Sequence, residues 1–307
     1  AFWKVHEEWL FESLKPLYKI YSEINLLDYS KNSMNEIVEM IAEKKPLMIA
    51  RVGNTELAIV KEYLQKQINL IDNYDDFWLN YLFSTSGFFA KKRNNDIVDK
   101  FAIEHIEAIR NCDCNFLYGN DELAEGLKST LFYIQDEERH KIKWDDFATP
   151  YNRFVSAFKN KKVLVISPYS TDIQRQINNI KNVYNDTIYD NVFFETYQSV
   201  ETQLDNTLGF DDYFVALNKM KKDIKQIDFD IALVCCGAYG YLLSSYIKNM
   251  GKISIELCSY LPNWFGIKIK RYCTNLMVNK IWNSNWIFPT TKKILKSEKI
   301  EDNCYWE

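Results

Sequence analysis

Apolar residues fall into two patterns along this chain. Over residues 1–45, Phe2, Trp3, Leu10, Leu14, Leu17 and Ile20 recur at roughly helical spacing, with Pro16 placed to end or kink a helix. Ser33 followed by Glu36 makes a capping box for a helix from Met34 to Glu43, which Pro46 stops. From Leu47 the pattern changes. Leu47-Met48-Ile49-Ala50-Arg51-Val52-Gly53 is a short apolar run ending at glycine, a buried strand followed by a loop, and Glu56 to Gln67 returns to helical spacing. Residues 75–110 read as largely helical with a break at Gly87, Asn115 to Gly119 as a second strand, and 120–160 as helices and loops.

The second half alternates more cleanly. Strand patterns cover Lys162–Pro168, Val192–Tyr197, Asp230–Cys236 and Lys252–Leu257. Between them lie helical patterns over Asp172–Asn182, Asp211–Ile227 and Tyr241–Met250, the last stopped by Gly251. Strands alternating with helices predict βαβ units: an α/β, Rossmann-like, mostly parallel sheet with helices on both faces. The expected organisation is a helical N-terminal extension over 1–45 and one α/β domain over 46–307.

Composition narrows the class. Hydrophobic residues make up 47% of the 307 residues, enough for a large core, and 26% are charged, as in ordinary globular chains. A net charge of −4 argues against a nucleic-acid partner. No apolar run reaches membrane-spanning length, and the opening residues, amphipathic and of both charges, are not expected to be a signal peptide. The seven cysteines are odd in number, with Cys235 and Cys236 adjacent, so a reducing compartment is expected. The spacings Cys112-x-Cys114 and Cys235-Cys236 do not build zinc knuckles. The three histidines, His6, His105 and His140, stand beside no candidate nucleophile, and no G-x-S-x-G elbow exists, which disfavours a hydrolase.

Ligands of open α/β sheets bind beyond the carboxyl ends of the strands, so the strand-end loops carry the chemistry. In Arg51-Val52-Gly53-Asn54-Thr55-Glu56, Gly53 allows close approach of a ligand, Arg51 suits phosphates, and Glu56 suits a divalent cation carried by a diphosphate. The same residues equally suit a plain helix start, with Asn54 as the cap and Arg51 paired to an acid. In Ser167-Pro168-Tyr169-Ser170-Thr171-Asp172 the hydroxyls can bind phosphate at a helix N-terminus or simply cap that helix. Cys236-Gly237-Ala238-Tyr239-Gly240 is a glycine-rich strand-to-helix turn that lacks the third glycine of a dinucleotide fingerprint. Lys268, Lys270 and Arg271 follow Trp264 and Phe265, a grouping that suits a diphosphate, an anionic lipid headgroup or plain solvent.

These segments resemble the GT-D glycosyltransferases. That family carries an Arg-x-Gly-Asp-Gly-Glu-like segment, here Arg51-Val52-Gly53-Asn54-Thr55-Glu56, and a Cys-Gly-x-x-Gly-x-x-Leu pattern followed by Lys-x-x-Gly-Lys, here Cys236 to Leu243 and Lys248 to Lys252. A subgroup met in polysaccharide gene clusters is similar in three further stretches: Pro168-Tyr169 to Gln176, Phe265 to Arg271, and Cys304-Tyr305-Trp306. The resemblance implies a GT-D-type fold and transfer of a sugar from a nucleotide-sugar donor, a UDP-sugar foremost, to a glycan, lipid-linked or protein acceptor. It implies Mn²⁺ or Mg²⁺ on Asn54 and Glu56, with Asn54 replacing the first acid of the family pair. The donor falls to Arg51, Gly53, Asn54, Ser167, Tyr169, Ser170, Gly237, Tyr239, Gly240, Lys268, Lys270 and Arg271, and catalysis to Glu56 with Asp172 and Glu256 as candidate bases. Where the subgroup tends to have a Gly-Gly pair, this chain has Glu256-Leu257-Cys258-Ser259-Tyr260. The expected location is the cytoplasm, at the inner face of the membrane where the basic segment contacts lipid. Competing readings are a non-catalytic partner in polysaccharide assembly, which Asn54 keeps open, and another nucleotide-using enzyme such as a methyltransferase.

Overall fold

The computed structural model describes residues 32–43, 45–116, 153–184, 189–273 and 275–290, with 130, 131, 134, 147, 148 and 150 between them. The helical pattern over 1–31, most of 120–152 and the closing Cys304-Tyr305-Trp306 lie outside these residues.

The apolar runs become strands buried on both faces. In β1 (Leu47–Arg51), Leu47 and Ile49 join one core cluster while Met48 and Ala50 join the other. The same division runs through β3 (Lys162–Ser167), with Val163 and Val165 against Leu164 and Ile166, and through β5 (Ile231–Val234). Such continuous apolar runs are what a parallel sheet covered by helices requires. With β2 (Cys114–Phe116), β4 (Phe193–Gln198) and β6 (Ile253–Glu256), they form one six-stranded sheet in the order β2-β1-β6-β5-β3-β4. Every neighbouring pair is parallel. Strand β6 departs from the apolar rule: Ile253 and Ile255 face one core, but Ser254 and Glu256 occupy the alternate positions and are also buried.

In chain order the helices are α1 (Asn32–Ala42), α2 (Asn54–Gln67), α3 (Asp76–Ser84), α4 (Asn95–Asn111), α5 (Ser170–Ile177), α6 (Ile180–Tyr184), α7 (Tyr213–Ile224), α8 (Tyr239–Asn249) and the single turn α9 (Leu276–Asn279). Helices α2, α3, α4, α7 and α8 bury apolar residues in one cluster. Ile37 and Ile41 of α1, Ile173 of α5, Ile180 of α6, and the 3₁₀ segments Arg153–Phe158 and Cys258–Phe265 fill the cluster on the other face.

Several boundaries differ from the sequence reading for local reasons. The expected helix Asp172–Asn182 is two helices, parted at Asn178 and Asn179, residues of poor helix propensity. Helix α8 begins at Tyr239 rather than Tyr241, because Gly237 takes φ +53° and turns the chain directly from β5 into the helix. Asp212 caps α7, its carboxylate accepting the Val215 N–H at 2.9 Å. Helix α1 starts at Asn32, ahead of the Ser33 expected to cap it. Trp264 and Phe265 are fully buried, and the Trp264 indole donates to the Ala148 carbonyl at 2.7 Å, so this aromatic pair belongs to the core rather than to an exposed clamp.

His105 of α4 is fully buried, its Nδ1 bonding the Phe101 carbonyl at 2.9 Å while Nε2 has no partner. Burial lowers its pKa from 6.5 to about 4. A depressed histidine stabilises the fold above its unfolded pKa, and that contribution is lost as pH falls from about 6.5 to about 4. His105→Gln should therefore flatten the acid side of the stability curve. Relative to the variant, the parent loses about 3 kcal/mol between pH 7 and pH 4, as read by urea titration.

Candidate functional site

A parallel sheet delivers all its carboxyl ends to one edge, and a cavity of about 1100 Å³ opens there. Its walls come from the segments after β1, β3, β4, β5 and β6, together with α3, the turn 85–87 and the Arg271–Tyr272 pair.

At its centre stand one guanidinium and two carboxylates. Arg51, the last residue of β1, directs Nε to the Cys258 Sγ at 3.4 Å and faces Glu56 and Glu256. Burial alone would pull a guanidinium down, but Cys258, Glu256 and Glu56 hold it above its ordinary range. Glu56 lies in the first turn of α2, its carboxylate folded back on its own backbone N–H. Burial raises its pKa, opposed by that N–H and by Arg51. Glu256 ends β6 with only 3% exposure, and its Oε2 has no hydrogen-bond partner. Burial pushes it up to about 8, with Arg51 opposing and Glu56 adding to the rise.

Two glycines make room for the acids. A Cβ on Gly53 would sit 1.8 Å from Glu56 Oε2, and one on Gly240 would sit 2.3 Å from Glu256 Oε1. Any larger residue at either position must displace the carboxylate. The helix-start alternative for this loop does not hold in its simple form. Gly53, not Asn54, occupies the N-cap position, and Asn54 Oδ1 is buried with no hydrogen-bond partner. Arg51 meets the buried acids of the site rather than a surface one.

Of the residues singled out from the sequence, Arg51, Gly53, Asn54, Glu56, Tyr169, Gly237, Tyr239, Glu256 and Arg271 line the cavity. Tyr239 is already engaged, its hydroxyl 2.6 Å from Thr202 Oγ1 and its ring stacked on Tyr213. Ser167, Ser170, Asp172, Gly240, Lys268 and Lys270 are not among the lining residues. Ser167 is fully buried and accepts the Tyr169 N–H at 3.2 Å, while the Ser170 hydroxyl donates to Gln198 Oε1. Asp172 is fully buried and holds the chain near Thr290, accepting its N–H at 2.8 Å and its hydroxyl. Gly240 acts from behind, by clearing space for Glu256. The three cations of the basic segment diverge: Arg271 lines the cavity, Lys268 lies over the Trp282 and Phe288 rings, and Lys270 is exposed.

Three contributors escaped the sequence reading. Cys258 receives the Arg51 contact, and burial pushes its thiol up to about 12. Glu201 lines the cavity and burial pushes it up to about 7. It lies three residues beyond the end of β4, so the strand-end rule could have found it had that loop been weighed with the others. Phe77, Trp78 and Tyr81 of α3 form an aromatic wall that no strand-end rule signals.

Among the described residues no group of three or more His, Cys, Asp or Glu side chains is placed to hold a metal ion. A magnesium or manganese ion that arrives with a diphosphate needs only one or two protein ligands, and the orphaned Asn54 Oδ1 beside Glu56 fits that smaller requirement.

Residues 147–262 match the family profile of a GT-D fold-like domain. The matched span holds β3 to β6 and the cavity residues Glu201, Gly237 and Glu256, while Arg51 and Glu56 precede it. Match and parallel sheet together support the GT-D type of α/β fold. No curated protein and no solved structure matches the chain.

The raised carboxyl gives a signed prediction. An acid whose folded pKa is raised favours the fold fully below its unfolded value of 4.5 and loses that advantage as pH rises through about 8. Glu256→Gln, an isosteric change, should leave stability nearly unchanged at pH 5 and raise it by on the order of 4 kcal/mol at pH 8.5 in chelator-treated protein. Paired denaturant titrations at the two pH values check this.

Proposed function

We propose that this chain is a glycosyltransferase that binds a nucleoside-diphosphate sugar in the carboxyl-end cavity, a UDP-sugar foremost. It passes the sugar to a glycan or glycoprotein acceptor in bacterial surface polysaccharide synthesis. The observation that carries this reading is Arg51 set against the buried Glu56 and Glu256 at glycine-cleared turns, in a chain with a GT-D-like domain.

Sugar transfer requires stabilisation of the departing diphosphate and removal of a proton from the acceptor hydroxyl. Arg51 supplies a fixed guanidinium fork for the diphosphate, with Arg271 as the second cation on the cavity wall. Asn54 Oδ1 and the Glu56 carboxylate would hold Mn²⁺ or Mg²⁺, and that ion would offset the charge that grows on the leaving group. Glu256 becomes the favoured base. It lines the cavity with an Oε2 that has no hydrogen-bond partner, whereas Asp172, the other candidate, is committed to Thr290. No helix among the described residues is long and apolar enough to cross a membrane. Work in the cytoplasm at the inner membrane face is part of the proposal and rests on the expected lipid-linked acceptor.

A thermal-shift screen against UDP-, GDP-, CMP- and dTDP-sugars, each with and without Mn²⁺, tests the reading. One nucleotide class should raise the melting temperature. Arg51→Gln should weaken that ligand by about tenfold or more, the scale of one lost charge-assisted contact. Glu56→Gln should remove the Mn²⁺-dependent part of the shift while the protein stays folded. Folded protein that responds to none of these nucleotides overturns the proposal, and a response to S-adenosylmethionine instead would make it a methyltransferase. Binding without any transfer or hydrolysis, with Mn²⁺ present, would make the chain a non-catalytic partner.

A further inference from the structure

The aromatic wall has no role in the donor chemistry above. Phe77 is 52% exposed and Tyr81 44% exposed, one helical turn apart on α3, with ring centroids 4.9 Å apart. Trp78 packs edge-on against Phe77 at 5.0 Å and is buried behind them. Exposed rings beside a polar cavity mark a binding surface.

Three observations identify the occupant. The cavity's volume of about 1100 Å³ exceeds the roughly 300–1,000 Å³ of a site for one small ligand, so a second substrate has room. The cations on its lining, among the described residues, are Arg51 and Arg271, whereas the cap of α3 that reaches the cavity is the acid Asp75. A diphosphate gains no cation from α3, and a neutral ligand needs none. The Glu201 carboxyl and the Gln203 side chain line the same cavity, polar groups that an apolar chain would cover without hydrogen bonds. A saccharide meets both demands: the C–H face of its ring packs on the negative face of an aromatic, and its rim of hydroxyls takes the hydrogen bonds.

The wall is built rather than incidental. Gln203 Nε2 donates to the Thr85 carbonyl at 3.1 Å, and Thr202 Oγ1 donates to the Gly87 carbonyl at 2.6 Å. The Ala238 N–H donates to the Ser86 carbonyl at 3.2 Å, tying the wall to the turn after β5. We propose that Phe77 and Tyr81, on a cavity that Glu201 and Gln203 also line, form the acceptor subsite and bind a neutral sugar ring by stacking. This rests on the transferase reading and names the acceptor as a carbohydrate.

Saturation-transfer NMR with lactose, cellobiose and chitobiose at millimolar concentration tests it, with the thermal shift by the nucleotide sugar measured on the same proteins. The parent should show transfer to at least one disaccharide. Phe77→Ala/Tyr81→Ala, a change at exposed positions, should weaken it by about tenfold, the scale of one to two aromatic contacts, while the nucleotide shift is unchanged. Glu201→Gln should weaken the disaccharide and leave the nucleotide shift unchanged. A nucleotide shift with no disaccharide signal overturns the acceptor assignment and leaves the transferase reading standing. A disaccharide signal lost in the double variant, with no nucleotide response from the parent, supports a saccharide-binding wall and overturns the transferase reading. A double variant that loses the nucleotide shift, or that loses binding to phosphatidylglycerol vesicles in place of a sugar signal, overturns the inference in favour of a nucleobase or lipid contact.

Discussion

The site depends on one constraint: two carboxylates share a desolvated space with a single guanidinium. Taking charges out of water is expensive, and an arrangement of two acids on one base cannot be fully neutralised. The structure answers by letting the acids rise in pKa, Glu256 to about 8, so that near neutrality part of the negative charge is held as protonated acid. A cationic ligand, or a diphosphate bringing its own metal ion, would complete the balance. Structures retain such unfavourable charge chiefly where function uses it.

Backbone makes this possible. Glu56 can fold over its own helix start because Gly53 has no side chain, and Glu256 can lie against α8 because Gly240 has none. The sheet supplies the rest. Parallel β1 and β6 are neighbours, so their carboxyl ends bring Arg51 and Glu256 together although 204 positions separate them in sequence, counting from 51 to 256 exclusive. Strand β6 buries two polar residues, Ser254 and Glu256, at the strand that carries the site.

The segment after β6 closes the cavity. Cys258 meets Arg51, and Tyr260 and Tyr272 pack ring against ring at 4.3 Å, which sets the 3₁₀ turn Lys270–Tyr272, with Arg271, on the cavity wall. Lys268 is held over Trp282 and Phe288 instead. Three neighbouring cations in sequence thus serve different surroundings. Asp172 has a comparable structural duty, fastening α5 to the chain at Thr290.

Much of the fold was legible in the sequence, because apolar period and glycine or proline punctuation are local signals. The strands near 47, 162, 193, 231 and 253, the helices after them and the stop at Gly251 all follow from residues within a few positions. The strand-end rule likewise located Arg51, Glu56, Gly237 and Glu256 on the cavity. What the tertiary structure alone decided was proximity. Arg51 faces Cys258 and Glu256 through sheet order, and no spacing encodes that order. Gly240 serves Glu256 across a helix–strand contact, which the motif suggested only as a turn. Ser167, Ser170, Asp172 and Lys268 have the chemistry of ligands but spend it on neighbours, Lys270 is exposed away from the cavity lining, and Phe77 and Tyr81 have the chemistry of core residues but stand exposed on the cavity wall. Residue type fixes what a side chain can do; which partner it meets depends on long-range packing, which the local pattern does not contain.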